Sequence, residues 1–170
     1  MVEPKIKIGS TPGVQFETFN YRHAEEILNA HISIRREITE ALTEVEEAMV
    51  AQGPDALTPR IVKAFATRGW QKEVRVADNQ PHEQRFDLFK ERVAIEIEFS
   101  RYEFLSRDYL RFLSAYNSDK IDVGVLITNS ESGLSRVKGK AVAPSLTRVN
   151  ADLAWLRGTI TVPIWVIALK

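Results

Sequence analysis

Three carboxylates fall on two short apolar segments in the middle of the chain. Asp87 lies in Arg85-Phe86-Asp87-Leu88-Phe89, and Glu96 and Glu98 lie in Val93-Ala94-Ile95-Glu96-Ile97-Glu98-Phe99. Acids inside a hydrophobic sheet are costly unless something cationic gathers them. The second segment alternates strictly. Val93, Ile95, Ile97 and Phe99 take one face, and Ala94, Glu96, Glu98 and Ser100 take the other. Lys90-Glu91 between the segments is short enough to be a hairpin turn. That turn sets Asp87 opposite Ala94 and on the same face as Glu96, one diagonal step away. A divalent cation such as Mg²⁺, bound through oxygen, would remove the repulsion among these charges. Two carboxylates holding Mg²⁺, with a third group orienting or deprotonating a water, form a device for attack on phosphorus. The same spacing also suits a polar strand whose acids face solvent.

The elements that must position these acids are read from periodicity and turn residues. Residues 1–13 are rich in breakers (Pro4, Gly9, Pro12, Gly13) and read as a flexible leader, with one domain over 14–170. Val14 to Phe19 reads as an edge strand and Asn20 as an N-cap. Arg22 to Met49 has helical periodicity with a break near Asn29. Its apolar stripe is Ile34, Ile38, Ala41, Leu42 and Val45, and Glu37, Glu40, Glu44, Glu46 and Glu47 form its solvated face. Thr58-Pro59 starts a helix through Phe65, with Thr58 as N-cap, and Gly69 closes it. Trp70 to Val76 is extended and carries Glu73. Arg101 to Tyr116 is a helix, Val123 to Thr128 a buried strand, Leu146 to Leu156 a helix and Ile160 to Ala168 a final strand. Two buried strands with helical crossovers beside an antiparallel hairpin predict an α/β fold with a mixed β-sheet flanked by helices.

The totals narrow the classes. Apolar residues make up 44% of 170, enough for one cored domain. There is no cysteine, so no disulfide framework and no thiolate metal site. No stretch reads as a membrane span or a signal peptide, which fits a cytoplasmic protein. No Gly-rich phosphate cradle points to a nucleotide cofactor. The net charge is zero, yet its distribution is uneven: ten basic and six acidic residues follow Ser100, against thirteen and seventeen before Arg101. An acidic site with a basic second half is compatible with a metal-dependent nuclease and with many other enzymes.

Several residues carry weaker signals. Ser100 and Arg101 open a helix right after the acidic strand and suit contact with phosphate or a base. Arg136, Lys138 and Lys140 form a basic loop suited to a DNA backbone. His23, at a helix start, reads as a structural, hydrogen-bonded histidine, and His31 and His82 as surface residues. Tyr102, Tyr109, Phe112 and Trp155 read as core or dimer interface.

Five stretches together resemble one family. They are Asn20-Tyr21-Arg22-His23-Ala24-Glu25-Glu26-Ile27-Leu28, Trp70-Gln71-Lys72-Glu73, Arg85-Phe86-Asp87, the run Glu96-Ile97-Glu98-Phe99-Ser100-Arg101-Tyr102-Glu103-Phe104-Leu105, and Val162-Pro163-Ile164. The family is the BglII/BstYI-type restriction endonucleases of the PD-(D/E)XK nuclease superfamily. The resemblance implies a Mg²⁺-dependent type II enzyme from a restriction-modification system, cutting double-stranded DNA at a short palindrome containing GATC as a homodimer. It assigns Asp87, Glu96 and the Ile97 carbonyl to the metal. It places Glu98 where most of the superfamily has lysine, as general base or second-metal ligand, and Glu73 at a further catalytic position. Family members tend to be longer at the C-terminus, and this chain ends at Lys170. Two alternatives stand beside this reading: a DNA-binding relative without catalysis, and a repair nuclease of the same fold.

Overall fold

The computed structural model describes residues 16–52, 57–80, 82–137 and 140–170. The expected leader and the start of the first strand at Val14 lie outside the described residues. The elements are β1 (Phe16–Tyr21), α1 (Ala24–Ala30), α2 (Ile32–Gln52), α3 (Leu57–Ala66), β2 (Gln71–Arg75), β3 (Arg85–Lys90), β4 (Val93–Ile97), α4 (Leu105–Asn117), β5 (Val123–Asn129), α5 (Leu146–Trp155) and β6 (Ile164–Leu169). Among the described residues the sheet has six strands, in the order β1-β6-β5-β4-β3-β2. β4, β5 and β6 run parallel; β1 joins β6, β3 joins β4 and β2 joins β3, each antiparallel. This is the expected mixed α/β sheet.

Side-chain alternation divides the core into two layers. Val93, Ile95, Ile97, Val125, Ile127 and Ile167 face α1, α2 and α3, where Ile34, Ile38, Leu42 and Ile61 are buried. Ala94, Leu126, Ile164 and Val166 face α4 and α5, which supply Leu105, Tyr109, Phe112, Val149 and Leu153. Each fully buried aliphatic or aromatic side chain contributes roughly 1.5–3 kcal/mol. On the second face α4 lies close against β5. A Cβ on Gly124 would stand 2.7 Å from ring carbons of Phe112, so only glycine fits there.

Several boundaries differ from expectation for local reasons. The chain turns from β1 into α1 through Arg22 and His23, both left-handed. The N-cap position is His23, not the expected Asn20, although Asn20 Oδ1 reaches in from β1 to accept the Glu25 N–H at 2.9 Å. His23 plays its expected structural part at the surface, with its side chain 85% exposed and Nδ1 3.7 Å from Glu26 Oε1. The helix break falls at His31. α3 begins at Leu57, so Thr58 lies within its first turn instead of capping it. α4 begins at Leu105 after a short 3₁₀ turn over Tyr102–Phe104. β6 starts at Ile164. Glu37 is not on a purely solvated face, since it accepts Trp70 Nε1 (3.1 Å) and Lys90 Nζ (2.8 Å), tying α2 to the sheet. The side chains of Glu46 and Glu47 lie outside the described residues. Among the described residues, no helix is long and apolar enough to cross a membrane.

The hairpin carrying the acids is also shifted. Its turn is Glu91-Arg92, with φ 46° and 69°, and Lys90 pairs with Val93. Two central residues in the left-handed region suit the twist of a two-residue hairpin. Neither is glycine, and Arg92 is tethered by Asp119 and Asp122 at 2.7 and 2.8 Å.

Candidate active site

β4 lies inside the sheet, so its alternation drives Glu96 into the layer beneath α4, where it is 2% exposed. The corrected turn shifts the β3–β4 register by two residues. This keeps Asp87 on the face of Glu96 but changes its neighbour. The ladder runs through Lys90–Val93, Phe89–Ala94 and Leu88–Ile95 and then stops. Asp87 and Glu96 are the next pair along. There Asp87 turns its Oδ2 to accept the Ile97 N–H at 2.8 Å, replacing a main-chain acceptor with a carboxylate. Alternation in β3 breaks at the same place. Phe86 packs on the α4 side, whereas Leu88, two residues on, packs on the other. On β2, pairing skips Glu73 between Lys72–Leu88 and Val74–Phe86, which puts Glu73 beside Asp87. Glu73 has φ 54°, a backbone strain held at the candidate site.

Helix α4 supplies the remaining charges. Arg111 Nη1 donates to Glu96 Oε1 at 3.1 Å, and Arg111 Nε donates to Gln84 Oε1 at 2.8 Å. Asp108 is 2% exposed. Its Oδ1 lies 3.5 Å from Arg111 Nη1 and from Arg107 Nε, close enough for ion pairing, but accepts no hydrogen bond. Burial first, then the charges of Asp108 and Asp87, push the Glu96 carboxyl up to about 9 against the pull of Arg111. Burial also raises Asp108 to about 7, partly offset by Arg107 and Arg111. Asp87 is raised by burial, with the Ile97 N–H and a side-chain hydrogen bond with Glu96 opposing and the Glu73 charge adding.

Glu98 is 7% exposed and bends toward the chain that follows. Its Oε1 accepts Ser100 N–H and Ser100 Oγ–H at 2.8 Å, and Arg101 N–H at 3.0 Å. Thr128 Oγ1 donates to the Glu98 carbonyl, and Asn129 Nδ2 bridges the Phe99 and Pro144 carbonyls. The exit from β4 is therefore pinned to the end of β5. Arg101 is exposed and its guanidinium pairs with Glu103 at 2.8 Å. Arg136 lies in a short turn over Gly133–Arg136 and Lys140 in another over Lys140–Val142. Their side chains, and all of Lys138, lie outside the described residues.

The family model described as restriction endonuclease BglII/BglIII matches residues 16–169. The chain belongs to that family. Two solved structures share the fold. BglII complexed with a DNA 16-mer is 17% identical at a TM-score of 0.71, over 92% of this chain and 76% of that one. Free BglII is 20% identical at a TM-score of 0.64, over 92% and 80%. No curated protein sequence matches significantly.

In this BglII/BglIII family member the fold brings together Asp87, Glu96 and Glu73, while the Glu98 carboxylate turns to Ser100 and Arg101. It also adds Gln84, Asp108 and Arg111, which sequence reasoning passed over. One signal was present. Leu105, Asp108, Tyr109 and Phe112 are spaced i, i+3, i+4 and i+7, so Asp108 occupies a core position on an apolar stripe. A charge there requires a partner, and Arg111, three residues on, lies on the same side of the helix. Gln84 gave no such signal, because its partner lies 27 residues away. Among the described residues, no three His, Cys, Asp or Glu groups are arranged to hold a metal ion. The available donor set is two carboxylates and main-chain oxygen.

Proposed function

We propose that this chain is a Mg²⁺-dependent type II restriction endonuclease that hydrolyses phosphodiester bonds of double-stranded DNA at a short palindrome containing GATC, leaving 5′-phosphate and 3′-hydroxyl ends. The observation that carries this reading is the pair of acids on neighbouring strands, Asp87 and Glu96, buried against each other within a family of restriction endonucleases. Oxygen donors suit Mg²⁺, which commonly takes one or two carboxylates and completes its shell with water and phosphate. Asp87, Glu96 and the Ile97 carbonyl would hold the ion. The chemistry it supplies is activation of water and neutralisation of charge developing on the scissile phosphate.

The chain's own residues do the rest. Asp87 holds Ile97 through its N–H and so orients the end of β4. Glu98 Oε1 fixes Ser100 and Arg101 at the mouth of the site, where they meet the DNA backbone, and its second oxygen is left for water or a second ion. Glu73 adds a carboxylate on the outer side of Asp87. Arg136, Lys138 and Lys140 contact phosphates of the duplex. A palindromic target calls for a two-fold dimer with one site per strand. Leu110 and Tyr116 on α4 and Trp155 on α5 are exposed and form its seam. The protein acts in the cytoplasm.

Incubation of the pure protein with mixed-sequence plasmid and Mg²⁺ tests the reading. Discrete fragments are expected, and Glu96→Ala should abolish cutting while DNA affinity persists. Smears or structure-dependent cuts would instead point to a repair-type nuclease. Binding without cleavage would point to an inactive relative. A Glu96→Ala enzyme that keeps the wild-type rate would refute the site.

A further inference from the structure

The β3–β4 ladder ends at Leu88–Ile95, one pair before the two acids. Main-chain pairing therefore does not hold Asp87 and Glu96 in register. Side chains do, through two links besides the direct Asp87–Glu96 contact. One is the Asp87 bond to Ile97 N–H. The other runs through Arg111, whose Nη1 holds Glu96 Oε1 at 3.1 Å and whose Nε holds Gln84 Oε1 at 2.8 Å. Gln84 lies three residues before Asp87. Its carbonyl is anchored by Val76 N–H at 2.9 Å and Gln80 Nε2 at 2.8 Å. The guanidinium thus joins the segment leading into the Asp87 strand to the Glu96 strand, from a third element, α4. It binds only one oxygen of Glu96. The Arg111 side chain is 15% exposed and directed inward, so its geometry does not suit a phosphate contact on the protein surface.

We propose that Arg111 is a positioning residue of the nuclease site. With Gln84 as its anchor, it sets the Glu96 carboxylate so that Oε2 is presented to the ion and holds the two ligand-bearing strands at the right spacing. Lysine cannot substitute fully, because one ammonium lacks the planar fork that reaches two acceptors at fixed angles. This inference rests on the reading of Glu96 as a metal ligand. Residues that orient a metal's ligands typically govern 10–100-fold in metal affinity or activity.

The test compares Arg111→Met, Arg111→Lys and Arg111→Ala with wild type. Mg²⁺ binding is measured by calorimetry without DNA, cleavage of mixed-sequence plasmid as a function of Mg²⁺, and DNA affinity in EDTA. Arg111→Met is expected to weaken Mg²⁺ binding and lower kcat by about 10–100-fold, with DNA affinity in EDTA and KM for DNA unchanged. Arg111→Lys should recover only part of the loss. A cavity of about 430 Å³ between the 76–84 loop and α4 has Arg111 and Gln84 in its wall. Added guanidinium ion can therefore reach the vacated place in Arg111→Ala and should restore cutting. If Arg111→Met does not fold, Gln84→Leu, which removes only the anchor, should show the same loss of Mg²⁺ affinity. A folded Arg111→Met with wild-type Mg²⁺ affinity and kcat overturns the inference. So does loss of DNA affinity in EDTA that matches the loss of cleavage, which would make Arg111 a DNA contact. A wild type that neither binds Mg²⁺ nor cuts would sink the functional reading itself. A wild type that binds and cuts while its variants match it would sink this inference alone.

Discussion

Glu96→Gln should make the metal-free protein more stable at alkaline pH even as it removes activity. An unfolded glutamate releases its proton near 4.5, whereas folded Glu96 holds its proton up to about 9. Between those values the folded chain carries one proton more than the unfolded chain. The stability tied to Glu96 is therefore full below about 4.5 and drains as pH rises toward 9. The slope is about 1.4 kcal/mol per pH unit for one proton. Asp108 contributes a slope of the same sign that ends near 7. The interval above 7 thus isolates Glu96. Its side chain is 3% exposed, so solvent screening does little to weaken the effect. From pH 7 to 8.5 the wild type should lose about 2 kcal/mol, or roughly 4–8 °C in Tm for a chain of this size. Glutamine keeps an acceptor for Arg111 and cannot ionise, so its melting curve should be nearly flat over that interval. Thermal melts followed by circular dichroism in EDTA, at half-unit steps of pH, provide the comparison. Parallel wild-type and Glu96→Gln profiles would refute the account of a carboxyl kept protonated by burial and its neighbours.

Gly124→Ala should cost about 1–3 kcal/mol through overpacking, because its Cβ would meet the Phe112 ring at 2.7 Å. Thermal melts should show the loss, and Phe112→Leu in the same chain should recover part of it; a Gly124→Ala protein as stable as wild type would contradict the close approach of α4. Trp155 is 84% exposed on α5. If it anchors the dimer, Trp155→Glu should raise the dimer dissociation constant about thirtyfold or more in sedimentation equilibrium, and an unchanged association state would move the seam elsewhere.

The local patterns of the chain determined most of the scaffold. The stripe of α2, the continuous apolar runs of β5 and β6, and the alternation of β4 each satisfy a periodicity that only one element type can bury. Alternation alone put Glu96 and Glu98 on one face, and any even shift of register leaves Asp87 on that face too. Other features depended on contacts between distant residues. The turn moved to Glu91-Arg92 because Lys90 pairs with Val93 while Arg92 is held by Asp119 and Asp122, about thirty residues downstream. Glu98 turned away from the face of Asp87 and Glu96 because its carboxylate meets three donors in the chain just beyond the strand. Arg111 and Asp108 joined the site only when α4 packed over β4. Periodicity states which face a side chain takes, since that follows from backbone geometry at each residue. It does not state which charge stands opposite across the packed layer, because that depends on how separate elements dock. The electrostatics of Glu96 were decided at that level.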